Sequence, residues 1–292
     1  MDTMELIKKL REETGVSVMD CKKALEKAGN DIEKARIILK EEGLAKADKK
    51  AERETKAGVA ASFVSEDNKI GSLIEFRSET DFVAKNEEFI ALADVIAKNV
   101  AEKNQGKIWE SEENVASILE QNVGDAETVD SSIRNLVAKI GEKMELGRVA
   151  RLETTDGFIT SYIHAGSRLG VLLEMKADKD IWQNDQVKQL AFDLSMQIAA
   201  MAPLAVSKDD LSEEDMKNVR DFIEEELTQE NKPEEIKEKM REGRIQKRLA
   251  QICLYFQPFI KDDSQTIEKL LENKGKELDA KISIVKFIRF QI

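Results

Sequence analysis

The chain has 292 residues, enough for one large domain or for two or three small ones that each bury a core. Charged residues make up 36% of the chain and its formal net charge is -12, so the surface should on average repel phosphate backbones, and nucleic acid is not expected as the main partner. No apolar stretch approaches the roughly 20 residues of a membrane-spanning helix and the N-terminus "MDTMELIKKL" lacks the apolar segment of a signal peptide, so we expect a cytoplasmic protein.

Residues 1–54 predict three short helices followed by a charged connection. The segments "MELIKKLREETG", "SVMDCKKALEKAG" and "DIEKARIILKEEG" each place apolar residues on one helical face, and each ends in a glycine, a common helix stop, at Gly15, Gly29 and Gly43. Ser17 and Asp31 are suited to cap the second and third helices. The charged run "AKADKKAERETKAG" is typical of a tether with few contacts, so we expect the first domain to end there.

From residue 58 the pattern changes to short β-rich runs on both sides of the polar turn "SEDNK", which predicts a β-hairpin. The stretch "SETDFVAKNEEF", residues 78–89, leads from that hairpin to a helix that Asn86 is expected to cap. The predicted unit is therefore a hairpin, an exposed connection that carries Phe82, and a helix. The inward face of that helix is predicted to hold Phe89, Ala93, Ile96 and Val100.

A second unit of the same kind follows in "GRVARLETTDGFITSYIHAGSRLGVLLEM", where "TTDG" is the expected hairpin turn. Its helix has the same spacing of apolar residues as the first. This weak internal repeat predicts a duplicated α+β core, with residues 55–141 as its first half and residues 142–292 as its second. The inward face of the second helix is predicted to hold Val187, Leu190, Leu194 and Ile198.

Between about residues 208 and 250 the chain is almost wholly charged, with a thin apolar seam that predicts an antiparallel helical hairpin, a short coiled coil inserted in the second half. "QENKPEE" is its expected tip, where Pro233 stops one helix and opens the next. The final "KISIVKFIRFQI" alternates apolar and polar residues, which predicts a half-buried strand that returns to a sheet. The expected seam comprises Leu211, Met216, Val219, Phe222, Ile223, Leu227, Ile236, Met240 and Ile245.

Side chains suited to catalysis or metal binding are scarce. Cys21 and Cys253 are the only cysteines, and they indicate packed thiols rather than a disulfide or a metal site. His164 is the only histidine, which excludes a multi-histidine metal site. The sequence has neither a complete phosphate-binding loop nor a G-x-G-x-x-G motif. The residues alone therefore support an enzyme only weakly, since no acid–base pair can be picked from the 58 carboxylates, and we expect no cofactor and no metal.

Several stretches resemble one family. "LREETGVSVMDCKKAL" and "ETDFVAKN" are similar to signature segments of bacterial elongation factor Ts, the nucleotide exchange factor for the GTPase elongation factor Tu. "AKIGE", "SYIHAGSRLGVL", "EKMREGR" and "QPFI" also resemble that family, in the family's order, so the similarity spans nearly the whole chain. Two features depart from it: Phe76 and Arg77 stand where the family usually has an aliphatic–asparagine pair, and Ile292 closes a chain that many members continue into a terminal helix.

The resemblance implies an α+β fold with three parts: a ubiquitin-associated-like three-helix domain, a duplicated core with antiparallel sheets, and an inserted helical hairpin. It also implies that the loop Thr80, Asp81, Phe82 and Val83 reaches the Mg²⁺ and phosphate site of elongation factor Tu. Phe82 would be the wedge and Asp81 its hydrogen-bonding neighbour. The partner would be met both GDP-bound and nucleotide-free, and a homodimer and a heterotetramer both stay open. Further partner contacts are implied for Leu10, Arg11, Met19, Lys22, Ile140, Gly141 and His164.

Each of these residues also has a structural explanation. Phe82 could be a hydrophobic staple on the following helix, and His164 a packed or surface histidine. Ile140 and Gly141 could simply end a helix, and the charged hairpin could be a solvated protrusion. Two other functions remain open from the residues alone. One is an adaptor that binds a ribosomal or nascent-chain partner through the three-helix domain, and the other is a hydrolase with Glu75, Glu79 and Asp81 around His164.

Overall fold

The computed structural model describes residues 2–48, 50, 52–104, 109–111, 114–123 and 127–292. They form a mixed α+β fold whose sheets are antiparallel, as predicted. The helices are α1 Thr3–Thr14, α2 Val18–Lys27, α3 Ile32–Asp48, α4 Asp81–Ala84, α5 Glu87–Lys103, α6 Val115–Leu119, α7 Val129–Ile140, α8 Asp185–Met201, α9 Glu213–Thr228, α10 Glu234–Ile252 and α11 Ile267–Glu277. The strands are β1 Ala57–Val64, β2 Ile70–Ser78, β3 Trp109–Ser111, β4 Asn122–Val123, β5 Glu127–Thr128, β6 Met144–Glu153, β7 Phe158–Ile163, β8 Leu169–Ala177, β9 Pro258–Phe259, β10 Asp262–Thr266 and β11 Ile282–Gln291.

The core has four layers, with two sheets in the middle and helices outside them. The larger sheet has the strand order β1-β2-β6-β3 and the smaller one β11-β8-β7. In β2, Ile74 packs with α5 and α7, whereas its neighbour Leu73 packs with the smaller sheet. In β8, Val171 packs with α8, whereas Leu172 packs with the larger sheet. The two-residue period of a strand thus lets each sheet bury both of its faces.

The helices that flank the sheets match the predictions from their spacing. Asn86 caps α5 by accepting hydrogen bonds from the backbone amides of Glu88 (2.9 Å) and Phe89 (3.2 Å). The predicted inward faces of α5 and α8 are buried throughout. In the final strand Ile282, Ile284, Ile288 and Phe290 are buried, and Ile292 after it is half-buried. The hairpin of β1 and β2 forms around residues 65–69, also as predicted.

The strand order corrects one prediction. β6 pairs with β2, placing Met144 opposite Ser78 and Glu153 opposite Ile70. The segment "TTDG" therefore carries the chain from the larger sheet into the smaller one and is not a hairpin turn. The hairpin of the second unit is β7–β8, closed by residues 164–168. β6 lies after residue 141 in the sequence, yet it pairs with β2, which lies before that residue. The division of the core into residues 55–141 and 142–292 stays a prediction.

The three N-terminal helices pack around a core of their own that includes Leu10 and Leu25. α1 ends at Gly15, as predicted, but α3 does not end at Gly43 and continues to Asp48. Gly43 is buried, and a Cβ atom added to it would lie 2.5 Å from the Cβ of Ala138 in α7. Glycine here allows two helices to approach closely, so the sequence signal of a helix stop was wrong.

The charged run begins in the last turn of α3, and the part that follows this helix contacts the core, which corrects the expectation of a tether with few contacts. Lys50 donates a hydrogen bond to the carbonyl of Gly141, and Arg53 donates to Glu79 at 3.1 Å. Residues 49 and 51 of the run lie outside the described residues. That residues 1–54 form a separate domain remains a prediction.

α9 and α10 lie side by side, joined by residues 229–233. Their seam is apolar, but Phe222 and Ile236, which were expected in it, are 55% and 47% exposed. Arg241 of α10 pairs with Glu224 of α9. The buried seam comprises Val219, Ile223, Leu227, Leu249, Ile252 and Cys253.

In the described part of the chain no helix combines the length and the apolar character needed to cross a bilayer.

Candidate functional site

The connection between β2 and α5 forms the short helix α4, in which two adjacent side chains have opposite surroundings. Phe82 is 82% exposed, whereas Val83 is 6% exposed and packs into the core beneath the larger sheet. Phe82 therefore does not staple the following helix. An aromatic side chain this exposed on an ordered turn is a feature typical of binding surfaces.

Thr80 begins this turn and is held by a residue far away in sequence. Its side-chain oxygen caps α4 by accepting from the amide of Val83 (3.5 Å). Its own hydroxyl and backbone amide donate to the carboxylate of Glu142, at 2.9 Å and 3.1 Å. Ser78 donates to the carbonyl of Thr80 (2.9 Å). The base of the turn thus has both its backbone groups and its side chain hydrogen-bonded.

Glu79, just before the turn, is also anchored. Its carboxylate accepts from the backbone amide of Lys143 (2.5 Å) and from Arg53 (3.1 Å). Burial alone would raise the pKa of Glu79, but these hydrogen bonds outweigh it and hold the pKa below its ordinary value. Glu79 is therefore ionised and hydrogen-bonded at neutral pH.

Asp81, the residue next to Phe82, pairs with Lys85 one turn later in the sequence (3.0 Å). The hydrogen bond and charge of Lys85 lower the pKa of Asp81, and the charge of Arg168 adds to this effect. Arg168 belongs to the β7–β8 turn, and the carbonyl of Ser167 in that turn accepts from the amide of Ala60 in β1 (2.6 Å). Since α4 also packs on β1, the Phe82 turn and the β7–β8 turn lie against the same strand.

His164 opens that β7–β8 turn and is exposed. Its Nδ1 atom lies 2.9 Å from the hydroxyl of Tyr162, whose ring in turn meets Phe192 of α8 edge-on at 5.6 Å between centroids. The histidine is thus part of an aromatic group in which Tyr162 is half-buried and Phe192 is exposed. Its role as a partner contact stays a prediction.

The other residues that the sequence suggested for partner contacts differ in accessibility. Leu10 is fully buried in the core of the three helices, so in this structure it can only support a surface and not form one. Arg11 and Lys22 are exposed, and Met19 is 60% exposed at the start of α2.

At the end of α7, Ile140 is half-buried and Gly141 is an exposed cap with a φ of 89°. Sequence reasoning missed Glu142, whose role depends on a contact across 62 positions.

The structure does not assemble the alternative hydrolase site. Glu75 is 1% exposed and accepts from Arg77 (2.9 Å) and Arg148 (2.8 Å). Glu79 and Asp81 are engaged as described above, and His164 contacts Tyr162. Each carboxylate thus has a basic partner other than the histidine. Among the described residues, no group of three or more His, Cys, Asp and Glu side chains is placed to hold a metal ion.

The fold and this surface define a class: a mixed α+β protein with a three-helix N-terminal unit and an exposed aromatic on a hydrogen-bonded turn. Residues 79–292 match the family model described as "Elongation factor TS". Elongation factor Ts of Aquifex aeolicus is 44% identical over 292 residues, which cover 99% of this chain and 97% of that protein. The same-named protein of Clostridium kluyveri is 41% identical, with 100% of this chain and 92% of that protein covered. The chain therefore belongs to the elongation factor Ts family and is a translation elongation factor.

Proposed function

We propose that this protein promotes the release of GDP from elongation factor Tu. The observation that carries the proposal is the exposed side chain of Phe82 on an anchored turn. A phenylalanine held in water gains free energy when a partner buries it, and it loses little entropy because it has only two rotatable side-chain bonds. Membership of the elongation factor Ts family supports the choice of partner.

Exchange of this kind needs no catalytic side chain, because it follows from linked equilibria. A protein that binds nucleotide-free elongation factor Tu more tightly than the GDP-bound form must weaken GDP binding by the same factor. Each 1.4 kcal/mol of difference changes the affinity about tenfold, so a few contacts made only in the nucleotide-free complex are enough. The protein would therefore act as a binding partner in the cytoplasm and not as an enzyme.

Phe82 is the residue that we assign to this differential contact. It would wedge between side chains of the GTPase close to its Mg²⁺ and phosphate site, with Asp81 as a hydrogen-bonding neighbour. Thr80 and Val83 would hold the wedge, since Thr80 is tied to Glu142 and Val83 is buried in the core. A wedge fixed to a rigid core can displace a partner's side chains without itself giving way.

Further contacts would hold the partner in place. His164 is on the turn that shares a strand with α4, so it can extend the same interface. Arg11, Met19 and Lys22 would add a contact from the N-terminal helices, with Leu10 packed beneath them. Ile140 and Gly141 lie at the end of α7, next to Glu142. We propose these groups as secondary contacts around Phe82.

The test is a stopped-flow measurement of fluorescent GDP release from elongation factor Tu, with and without this protein. We expect the release rate to rise with the concentration of the protein and to reach a plateau. An unchanged rate would refute the proposal. If the protein then sedimented with ribosomes in the absence of elongation factor Tu, the adaptor function would be favoured instead.

A further inference from the structure

The position of Phe82 has no apolar support of its own. α4 is four residues long, too short for a helix to be stable in isolation, and Phe82 itself is exposed. Val83 enters the core and the half-buried Ala84 packs against it. These two side chains anchor the C-terminal part of α4, and the polar contacts at Thr80 anchor its start.

Those contacts form a reciprocal pair between two connections. The side chain of Glu142 accepts from the backbone amide of Thr80 (3.1 Å), and the side chain of Glu79 accepts from the backbone amide of Lys143 (2.5 Å). Residues 79 and 80 are adjacent, and so are residues 142 and 143, so each connection supplies one carboxylate and one amide to the other. We name this group of four residues the reciprocal clamp.

Glu142 makes the larger share of the contacts to Thr80. Both of its carboxylate oxygens lie 2.9 Å from the Thr80 hydroxyl, and one of them also accepts from the backbone amide. Hydrogen bonds to an ionised acceptor are about twice as strong as neutral ones. The hydroxyl so oriented is the group that caps α4, so Glu142 fixes the turn through its capping residue.

The clamp is itself held in place on the side of Glu142. Gly141 ends α7 with a φ of 89°, a left-handed conformation that glycine adopts without strain and that turns the chain towards Thr80. Lys50 donates to the carbonyl of Gly141. The end of α7, the charged run and the end of β2 therefore meet at the start of the Phe82 turn.

We infer that Glu142 is the positioning residue of the Phe82 turn: it pre-orders the wedge before the partner arrives. The part of this inference that concerns exchange rests on the proposed function. Pre-ordering matters because ordering a flexible turn on binding consumes part of the binding free energy. Without Glu142, Phe82 would still be present and exposed, but it would sample orientations that do not fit the partner.

The test compares Glu142→Ala with Glu142→Gln and with Glu66→Ala as a control, since Glu66 is exposed in the β1–β2 turn. The first measurement, amide hydrogen exchange in the free protein, needs no partner. In Glu142→Ala we expect faster exchange at the amides of residues 80–83, with unchanged exchange in α5 and β2. Glutamine keeps one acceptor oxygen, so Glu142→Gln should lie between wild type and alanine. The control should match wild type.

The second measurement is stimulated GDP release from elongation factor Tu. We expect Glu142→Ala to lower the release rate about five- to tenfold and Glu142→Gln to restore most of it. Unchanged amide exchange at residues 80–83 would overturn the clamp, whatever the release rate. Faster amide exchange with full release activity would overturn the positioning role. If wild type itself does not stimulate release, the proposed function fails, and the amide exchange still decides whether the clamp orders the turn. Should Glu142→Ala not fold, Glu142→Gln alone must show both effects in reduced size.

Discussion

Phe82 and Val83 are neighbours in the sequence, and their opposite surroundings separate binding from stability. Phe82→Ala removes a side chain that is 82% exposed, so the melting temperature should stay nearly unchanged. Loss of a buried aromatic anchor at an interface costs about 2 kcal/mol or more, so stimulated GDP release should fall roughly 30-fold.

Two variants control this prediction. Val83→Ala, unlike Phe82→Ala, should lower the free energy of unfolding by about 2 kcal/mol through lost burial. Phe222→Ala removes another exposed aromatic, on α9, and should leave GDP release unchanged. If Phe82→Ala melts several degrees lower while exchange stays intact, Phe82 serves the fold and not the partner.

Glu75 makes the stability of the protein depend on acid pH. Burial alone would raise its pKa, but hydrogen bonds and charges from Arg77 and Arg148 outweigh this and hold the pKa below its ordinary value near 4.5. A carboxylate whose pKa is lowered by folding stabilises the fold above its unfolded pKa, and this contribution is lost as the pH falls through the folded pKa. Removing one partner of a buried ion pair costs about 3 kcal/mol. Glu75→Gln should therefore be less stable than wild type by about that amount at pH 7.

The difference in the free energy of unfolding between Glu75→Gln and wild type should shrink as the pH falls below about 4.5. Glu75 of the wild type is then protonated and loses its ion pairs, which the variant lacks at every pH. Urea unfolding of both proteins at pH 7 and at acid pH measures this. Glu66→Gln, at an exposed position, should track wild type throughout. A difference that stays constant or grows with acid would show that the ion pairs do not stabilise the fold.

For single residues, the sequence predicts a role when the contacts behind it are made with near neighbours in the chain. Asn86 was identifiable as a cap because its partners are two and three residues away. The exposure of Phe82 fits its place in a polar connection, although the pattern alone also allowed a staple. Glu142 could not be found, since nothing in "KIGEK" indicates that its carboxylate reaches Thr80. Contacts across long sequence separations need the fold first.

Gly43 and Gly243 both lie inside helices, but replacing them with alanine should have opposite effects on the stability of the protein. By helix propensity, replacing either with alanine should stabilise the helix by about 1 kcal/mol. At Gly243 of α10 nothing lies within 4 Å of the added Cβ, so Gly243→Ala should be stabilising. At Gly43 of α3 the added Cβ would lie 2.5 Å from the Cβ of Ala138, so the two helices must move apart and the variant should be less stable.

Thermal unfolding of the two variants checks this pair, each serving as the control for the other. Because Gly43 of α3 lies at the contact with α7, its substitution should also loosen the N-terminal helices. Limited proteolysis should then cut Gly43→Ala faster than wild type in residues 50–56. Equal stabilisation by both substitutions would mean that α3 does not pack on α7 as closely as described.

The sequence predicted which segments form helices and strands more reliably than it predicted which of these segments contact each other. Alternation of apolar residues identified β6 and β7 as strands, but the same pattern cannot tell which sheet a strand joins. "TTDG" has hairpin-turn chemistry, yet β6 pairs with β2 and leaves its neighbour β7 to the other sheet. Likewise Gly43 has the signature of a helix stop, and only the nearby Ala138 reveals that it serves packing. Tertiary contacts override local signals at these points.

At the scale of the whole molecule, the N-terminal segment contacts the core at the end of α7 and at the residue before the Phe82 turn. Gly15 abuts Lys139, with which an added Cβ would collide at 2.1 Å, and Lys139 pairs with Glu88 of α5 at 2.6 Å. The charged run then reaches Gly141 through Lys50 and Glu79 through Arg53. If the proposed exchange takes place, we therefore expect the N-terminal segment to affect it by two routes, the proposed contact with the partner and its support of the reciprocal clamp.

Two truncations should separate those routes. A variant lacking residues 1–44 loses Arg11, Met19 and Lys22 but keeps Lys50 and Arg53, so we expect a folded core whose affinity for elongation factor Tu is about tenfold lower. A variant lacking residues 1–56 also loses the hydrogen bond of Lys50 to Gly141 and the contacts of Arg53 with Glu79 and Lys143. Its amides at residues 80–83 should exchange faster, and the maximal rate of GDP release should fall as well as the affinity, because the wedge is no longer pre-ordered. Hydrogen exchange of the free variants and titrations of GDP release measure the two effects separately. If both variants lose affinity alone and to the same extent, the charged run contributes nothing to the Phe82 turn, and the N-terminal segment acts only as a partner contact.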